Sequence, residues 1–138
     1  MKIQLGRGIA SDNIVESLKH AEIVTENGEY VLYENNQRFL VTNGHTTQYL
    51  NSDEIRTVTT QESSLLVETE TESFYTHDPL KTFEVLPLLR INKFTVINLH
   101  YITDIRVKLN MKYAVKVTGS WHDVNRTYYH AFKEHIGI

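Results

Sequence analysis

Short runs of alternating apolar and polar residues, separated by turn residues, dominate the sequence from residue 30 onwards. Alternation with a period of two is typical of strands that bury one face, and turn residues between such runs favour antiparallel hairpins. The turn residues stand at Asn35-Asn36, Asn43-Gly44, 51–53 and Asn110-Met111. We therefore expect a mostly β fold with largely antiparallel strands and only short helices.

Alternating and β-branched runs mark the candidate strands. They are 30–32, 39–41, 46–50, 55–60, 65–70, 74–75, 94–97, 101–109, 112–118 and 121–124. In the first strand of the hairpin at 101–118, Ile105 and Val107 alternate with Arg106 and Lys108. This pattern predicts one buried face and one charged face.

Three helices are expected between or beside these strands. The first covers about 12–21, where a capping residue precedes apolar residues at helical spacing. The second begins with the capping carboxylate of Asp78 and with Pro79, and ends before Pro87. The third begins at about residue 126 and directs apolar residues towards a core. Large aromatic side chains dominate packing, so we expect three of them in the core: Trp121, Tyr129 and Phe132.

Composition narrows the function classes. The 138 residues contain no cysteine, which excludes thiolate metal sites, disulfides and cysteine nucleophiles. The seven histidines are scattered, and only His130 and His135 lie near each other, so we expect no metal site. The sequence has no glycine-rich phosphate loop, no dinucleotide motif, no secretory signal and no membrane-spanning run. We expect a cytoplasmic protein without a cofactor or a small-molecule substrate.

Three acidic residues are the one pattern that could indicate an enzyme. Glu68, Glu70 and Glu72 alternate along a predicted strand and would share one face. Such carboxylates could form an acid–base pair, but a solvated strand face that resists aggregation explains them better. We therefore expect no enzymatic activity.

Charge is distributed unevenly along the chain. Residues 1–87 carry 6 Lys/Arg and 14 Asp/Glu, a net of −8, whereas residues 88–138 carry 8 Lys/Arg and 3 Asp/Glu, a net of +5. Such an asymmetry either indicates that the C-terminal third faces a polyanion or reflects chance clustering on a solvated surface.

The run from Leu88 to Ile102 reads Leu-Leu-Arg-Ile-Asn-Lys-Phe-Thr-Val-Ile-Asn-Leu-His-Tyr-Ile. It resembles the signature of the LytTR family of bacterial DNA-binding domains, in which an apolar-Arg motif leads to a Val-Asn-Leu-x-x-Ile box and then a β-hairpin. The predicted hairpin at 103–118 follows, and residues 123–132 look like the segment that opens the family's last helix. The resemblance covers about 36–138.

The resemblance implies an elongated arrangement of small sheets with a C-terminal helix, which presents loops to DNA rather than a recognition helix. Three places would supply the contacts: Lys93 in the signature, the segment 125–127, and the loop at about 60–64. Lys93 and Arg126 have the donors that guanine or phosphate requires, and Asn92 and Asn125 could serve adenine. The remaining contact candidates are Thr127, Gln61, Ser63, Ser64 and Arg90. For Arg90 a structural ion pair is the alternative, and Asn98 is expected to bond to backbone within its turn.

Three positions depart from the family pattern. Thr127 replaces the usual second Arg, Asn125 replaces a Ser, and Glu62 stands in the middle loop, where it would repel a phosphate. These departures leave the base preference open. The missing Arg, together with the acidic N-terminal part of the chain, supports an alternative function, in which a degenerate member sequesters a related regulator in inactive mixed dimers.

We divide the chain into an N-terminal extension at 1–35, with a short helix, and a LytTR-like domain at 36–138. Thirty-five residues cannot hold the receiver domain that often precedes such domains in the family, so we expect a stand-alone regulator without phosphorelay control in this chain. The extension would then serve dimerisation or regulation. The resemblance further implies a homodimer on two promoter repeats of double-stranded DNA and an inhibitory membrane protein as a partner.

Overall fold

The computed structural model describes Ile3, Leu5 and residues 11–32 and 38–138, and the chain divides into two compact units, 1–33 and 34–138. The first unit contains the helix α1 (Ser11–Leu18), so the predicted helix is confirmed but ends three residues early. Residues 21–32 form no strand, and the strand predicted at 30–32 is wrong. Alternation marks a strand only where a partner strand pairs with it, and no pairing involves these residues. The predicted turn at Asn35-Asn36 lies outside the described residues.

In the described part of the second unit, residues 38–138, ten strands are present, and every pair of neighbours is antiparallel. The first five are β1 (Arg38–Thr42), β2 (Thr47–Asn51), β3 (Thr57–Thr60), β4 (Leu65–Glu68) and β5 (Ser73–Thr76). The others are β6 (Leu88–Asn92), β7 (Thr95–Asn98), β8 (Ile102–Val107), β9 (Tyr113–Val117) and β10 (Ser120–Val124). Seven strands form one sheet in the order β2-β1-β5-β4-β3-β7-β6, and three form a second sheet in the order β10-β9-β8. The predicted mostly β, antiparallel class is confirmed.

The strands β6 and β7 belong to both hydrophobic cores of this unit. On one side of the large sheet, Leu88 and Val96 join the core formed by β1–β5 and the segment 80–83. On the other side, Ile91 and Ile97 join the core formed by the small sheet and the C-terminal helix, which we call the second core. All four residues of β7 are buried, because both faces of the strand are covered. Three of the four residues of β7 are β-branched, which suits a strand that has no solvent-facing side.

Turn chemistry fixes the first hairpin of the large sheet. The Asn43 side-chain Oδ1 accepts hydrogen bonds from the backbone N–H groups of His45 and Thr46, both at 2.8 Å. Gly44 has a φ of 92°, a conformation that favours glycine. The predicted turn at Asn43-Gly44 is confirmed.

The second predicted helix is shorter than expected and is not an α-helix. The segment predicted as a helix up to residue 86 is a single 3-10 turn at Leu80–Phe83, and Pro79 lies just before it. A 3-10 turn places residues three apart on one side, so the spacing of Leu80 and Phe83 suits it as well as an α-helix. Both side chains are buried, and Phe83 stacks on Phe39 at 4.6 Å between ring centroids.

The C-terminal helix begins later than predicted. A 3-10 turn at Arg126–Tyr128 precedes the helix α2 (Tyr129–Ile136). Phe132 is fully buried, as predicted, and Tyr129 is half-buried against the same core.

Trp121 is 39% exposed, and its predicted place in the core is wrong. It pairs with Lys116 across β9 and β10, and so lies on the face opposite to Val115 and Val117. The guanidinium of Arg106 covers it, with Cζ 4.3 Å from the ring centroid. The period of two along β10, which points Val124 inwards, places Trp121 outwards.

Two further strand predictions need correction. The apolar side chains of β8 are not buried, since Ile105 is 39% and Val107 56% exposed. The acidic residues at 68–72 do not share a strand face, because β4 ends at Glu68 and the next residues form a turn closed by the bond from Thr69 N to Glu72 O. Glu70 instead forms an ion pair with Arg56 at 3.3 Å.

Candidate nucleic-acid interface

The turn between β6 and β7 presents Lys93 at its tip. The guanidinium of Arg90 donates to two backbone carbonyls of this turn, Nη2 to Lys93 O at 2.7 Å and Nε to Asn92 O at 3.3 Å. The Asn92 Oδ1 accepts from the backbone N–H of Phe94 at 2.9 Å. These bonds fix the backbone of the turn, while the Lys93 side chain is exposed and its Nζ lies 5.7 Å from the Phe94 ring centroid.

Arg90 is half-buried and engaged within the protein. Besides the two carbonyls, it forms an ion pair with Glu84 at 3.7 Å between Nη1 and Oε1. The guanidinium carbon also lies 5.9 Å from the ring centroid of Tyr128. Of the two alternatives that the sequence left open for Arg90, the structure forms the ion pair.

The segment 125–127 lies beside this turn. The backbone N–H of Asn125 donates to Ile91 O at 2.7 Å, which ties the segment to the edge of β6. The Asn125 Oδ1 accepts from Thr127 N at 3.1 Å and caps the 3-10 turn that follows. The side chains of Arg126 and Thr127 are exposed.

A second bond joins the two segments. The side-chain Nδ2 of Asn92 donates to Asp123 O at 2.8 Å, so one amide links the turn at 92–94 to the end of β10. The Asp123 carboxylate in turn accepts from Lys108 Nζ at 2.6 Å. This ion pair neutralises the acidic group next to the segment 125–127.

The loop at 61–64 lies on the other side of the same turn. The backbone N–H of Thr60 donates to Phe94 O, and Gln61 N donates to Ser64 O, both at 2.8 Å. His77 holds the loop from β5, with its Nδ1 3.1 Å from Ser63 O. Gln61, Glu62 and Ser63 are exposed and Ser64 is half-buried. The structure thus brings the three predicted segments together, with 92–94 in the middle.

The charges at these tips favour an anion. Within the described part of the chain, neither Lys93 nor Arg126 has an ion-pair partner. Glu62 is the acidic side chain of the loop on the other side. Exposed cations without an acidic partner attract a polyanion at long range, and salt weakens that attraction.

The buried Asn98 confirms the expected backbone role. Its Oδ1 accepts from His100 N at 2.9 Å, and its Nδ2 donates to Ile55 O at 2.8 Å and to Ser52 O at 3.2 Å. The amide thereby joins the end of β7 to the segment that precedes β3. Asn98 is fully buried and lies at the end of β7 opposite to the turn that carries Lys93.

Two contributors to this region escaped the sequence analysis. Phe94 is 54% exposed at the tip of the β6–β7 turn, where a two-residue connection between paired strands signals an outward position. His77 has no comparable signal, because its contact with Ser63 spans fourteen residues of sequence.

Among the described residues, His122 is the titratable group with a clearly shifted pKa. It stands on β10 and lines a shallow pocket with Thr57 and Glu68. Burial lowers the pKa of His122 from its ordinary value of 6.5, against the opposing attraction of Glu68 and Asp123. Burial therefore favours the neutral form of the imidazole.

Other kinds of site find no support among the residues that the structure describes. There, no three His, Asp or Glu side chains approach closely enough to hold a metal ion. No helix in that part of the chain is long and apolar enough to cross a membrane.

Comparison with known proteins agrees with the geometry. The family model of the LytTr DNA-binding domain matches residues 45–137. A solved LytTr DNA-binding domain from Bacillus cereus superposes with a TM-score of 0.66 at 15% identity, and the match covers 73% of this chain and 97% of that one. No curated protein matches the sequence. The family model spans more than half of the chain, and the chain therefore belongs to the LytTR family of DNA-binding domains.

Proposed function

We propose that this chain is a sequence-specific transcriptional regulator that reads double-stranded DNA through three loops rather than through a recognition helix. The observation that carries the proposal is the row of bonds from Thr60 to Phe94, from Asn92 to Asp123 and from Asn125 to Ile91. These bonds keep three exposed, separately encoded segments next to one another, as a surface that contacts one duplex requires.

Direct contacts are assigned to the side chains that the protein leaves unpaired. Lys93 and Arg126 would contact guanine or phosphate, because both are exposed cations in the described region and neither is held by an acid. Thr127 lies on the same turn as Arg126 and would add a hydroxyl contact. Gln61, Ser63 and Ser64 would supply weaker polar contacts from the third segment.

Positioning is assigned to the side chains already bonded within the protein. Arg90 holds the carbonyls of the central turn, and Asn92 accepts from Phe94 N within that turn through Oδ1 and donates to Asp123 O of β10 through Nδ2. Asn125 caps the turn that carries Arg126. An adenine contact by Asn92 or Asn125 would have to share or replace these bonds, so we rank both below Lys93 and Arg126 as readers of bases.

We further propose that two copies bind two repeated half-sites, and that the N-terminal extension at 1–35 docks a regulatory partner such as an inhibitory membrane protein. Deleting residues 1–30 tests the extension. We expect unchanged affinity for DNA and loss of the interaction with the partner. A truncated protein that still retains the partner would contradict this role.

The competing function is sequestration of a related regulator. It is favoured by Glu62, which is exposed in the loop beside the central turn, and by Thr127, which stands where the family has an arginine. Both features reduce the attraction for phosphate at the proposed surface.

A gel-shift titration separates the two functions. The protein is titrated against duplex DNA from the region upstream of its own gene, at two salt concentrations and with excess unrelated duplex as competitor. We expect a band that resists the competitor and an affinity that falls as salt rises, because binding releases counterions from the duplex. A protein that shows no preference for any duplex over the competitor would refute sequence-specific regulation and favour sequestration.

A further inference from the structure

The two sheets have four edge strands, and β8 differs from the other three. At the edge of β6, Ile91 O accepts a bond from Asn125, and on β10, Asp123 O accepts a bond from Asn92. The aliphatic side chains of β2, β6 and β10 are buried or half-buried. On β8, by contrast, Ile105 and Val107 are exposed aliphatic side chains.

These two side chains lie on the face of the small sheet that forms the second core, at positions where α2 does not bury them. Ile105 pairs with Val115 and Val107 with Tyr113, so both lie on the face of the small sheet that packs against α2. They stand at the rim of that core, with 39% and 56% of their surface exposed, and Leu109 just beyond the strand is 91% exposed. An edge strand with exposed aliphatic side chains is a template for pairing with another strand.

The charges on β8 are self-complementary. Asp104 and Arg106 flank Ile105 and share the opposite face of the strand. If two β8 strands pair in antiparallel orientation about Ile105, Asp104 of each copy lies opposite Arg106 of the other. The same register places Ile105 against its own counterpart and Thr103 opposite Val107. Opposite charges across neighbouring strands stabilise pairing, and like charges weaken it.

We propose that β8 is a homodimerisation edge, which pairs with β8 of a second copy about Ile105 and joins the two small sheets into one sheet of six strands. Both charged side chains can take part. The guanidinium carbon of Arg106 lies 4.3 Å from the Trp121 ring centroid, and no acidic side chain of the described residues pairs with Arg106. The ion pair from Asp104 to Lys116 is long, at 3.9 Å. The interface involves a single strand from each copy, so we expect a reversible dimer rather than an obligate one.

A cysteine scan tests the register directly, because the natural chain has no cysteine. In Ile105→Cys, the two introduced thiols face each other across the two-fold axis, with Cα atoms about 4.5–5.5 Å apart, a distance that a disulfide can span. In the matched control Val107→Cys, the two thiols are offset by four residues, about 13 Å along the strand.

We expect disulfide-linked dimers of Ile105→Cys under mild oxidation, and little cross-linking of Val107→Cys. Random collision would give the reverse order, since Val107 is the more exposed of the two side chains. The proposal is overturned if Val107→Cys cross-links as fast as Ile105→Cys, or if folded Ile105→Cys stays monomeric. Thermal unfolding of both variants establishes that they are folded.

A charge reversal gives a second, independent readout in the Ile105→Cys background. Arg106→Asp places two carboxylates opposite each other at both ends of the pairing, so we expect cross-linking to slow severalfold. Adding Asp104→Arg restores opposite charges and should restore the rate, although the stacking on Trp121 is lost in both variants. A double variant as slow as the single one would contradict the proposed register. Neither experiment contains DNA, so its failure would leave the proposed DNA binding untouched.

Discussion

The strand β7 and the turn that precedes it lie side by side in the signature run, yet they meet opposite environments. β7 is buried on both faces, and Ile97 and Asn98 have no exposed surface. In the turn, Lys93 and Phe94 are exposed, and the backbone is held by bonds from Arg90 and Asn92. Within this run, β7 forms a buried framework, and the turn at Lys93 and Phe94 forms an exposed tip next to it. Substitutions in the framework should change stability, and substitutions at the tip should change binding alone.

The largest effect is expected for Ile97→Ala. Ile97 is fully buried among the side chains of the second core, so its truncation should lower the free energy of unfolding by about 2–5 kcal/mol. Urea denaturation measures the change. As a control, Val107→Ala removes an aliphatic group that is 56% exposed, and should cost far less. If both variants lost the same free energy of unfolding, the distinction between the buried framework and exposed positions would be wrong.

At the tip, Lys93→Ala should weaken binding to the preferred duplex by about 1–3 kcal/mol if the amine contacts a base, because a lost base contact costs that amount. The free energy of unfolding should change by less than about 0.5 kcal/mol, as for other exposed positions. Lys81→Ala is the matched control, since Lys81 is an exposed lysine outside the three segments. Fluorescence anisotropy gives the affinities. An equal loss on all duplexes would make Lys93 a phosphate contact, and no loss would remove it from the interface.

A smaller effect, a gain in stability, is expected at Thr118, which lies outside β7 and the β6–β7 turn. Its φ of 52° is left-handed, which a β-branched residue rarely adopts, and it forms the β9–β10 turn with Gly119 at a φ of 80°. A turn of this kind favours Asn-Gly. Thr118→Asn should therefore raise the free energy of unfolding by about 1 kcal/mol without changing DNA affinity. A fall in stability, measured by thermal unfolding, would show that the backbone at Thr118 is not strained.

The smallest expected effect is a dependence of stability on pH. Burial lowers the pKa of His122 in the folded protein, so the unfolded chain binds the proton more tightly. The stabilisation is complete above the ordinary pKa of about 6.5 and is lost as the pH falls towards the folded pKa. His122→Gln should flatten this part of the curve of unfolding free energy against pH. An unchanged curve would show that His122 is not its source.

Local patterns were sufficient for the hairpins. Asn43-Gly44 carries its own turn chemistry, and the pairing of β8 with β9 follows from alternation around a short connection. The failures have a common cause in contacts between distant parts of the sequence. Residues 30–32 alternate like a strand but have no pairing partner, and Ile105 alternates like a core residue but lies beyond the cover of α2.

The sequence predicted the segments of the candidate site but not the bonds that hold them together. The resemblance picked out the three segments, and the exposure of Lys93 follows from its place in a two-residue turn. The bonds that gather the segments could not be predicted, because Asn92 reaches Asp123 across 31 residues of sequence. For Arg90, the ion pair depends on where the chain places Glu84, which only the folded structure specifies.

The salt dependence of DNA binding is the sharpest test of whether Lys93 and Arg126 contact a duplex. The logarithm of the binding constant for a duplex with the preferred site is measured against the logarithm of the salt concentration, for the natural protein and for Lys93→Ala/Arg126→Ala. We expect a steep negative slope for the natural protein, which becomes shallower by about 0.9 for each phosphate contact removed. Identical slopes and affinities for both proteins would show that these two tips do not touch DNA.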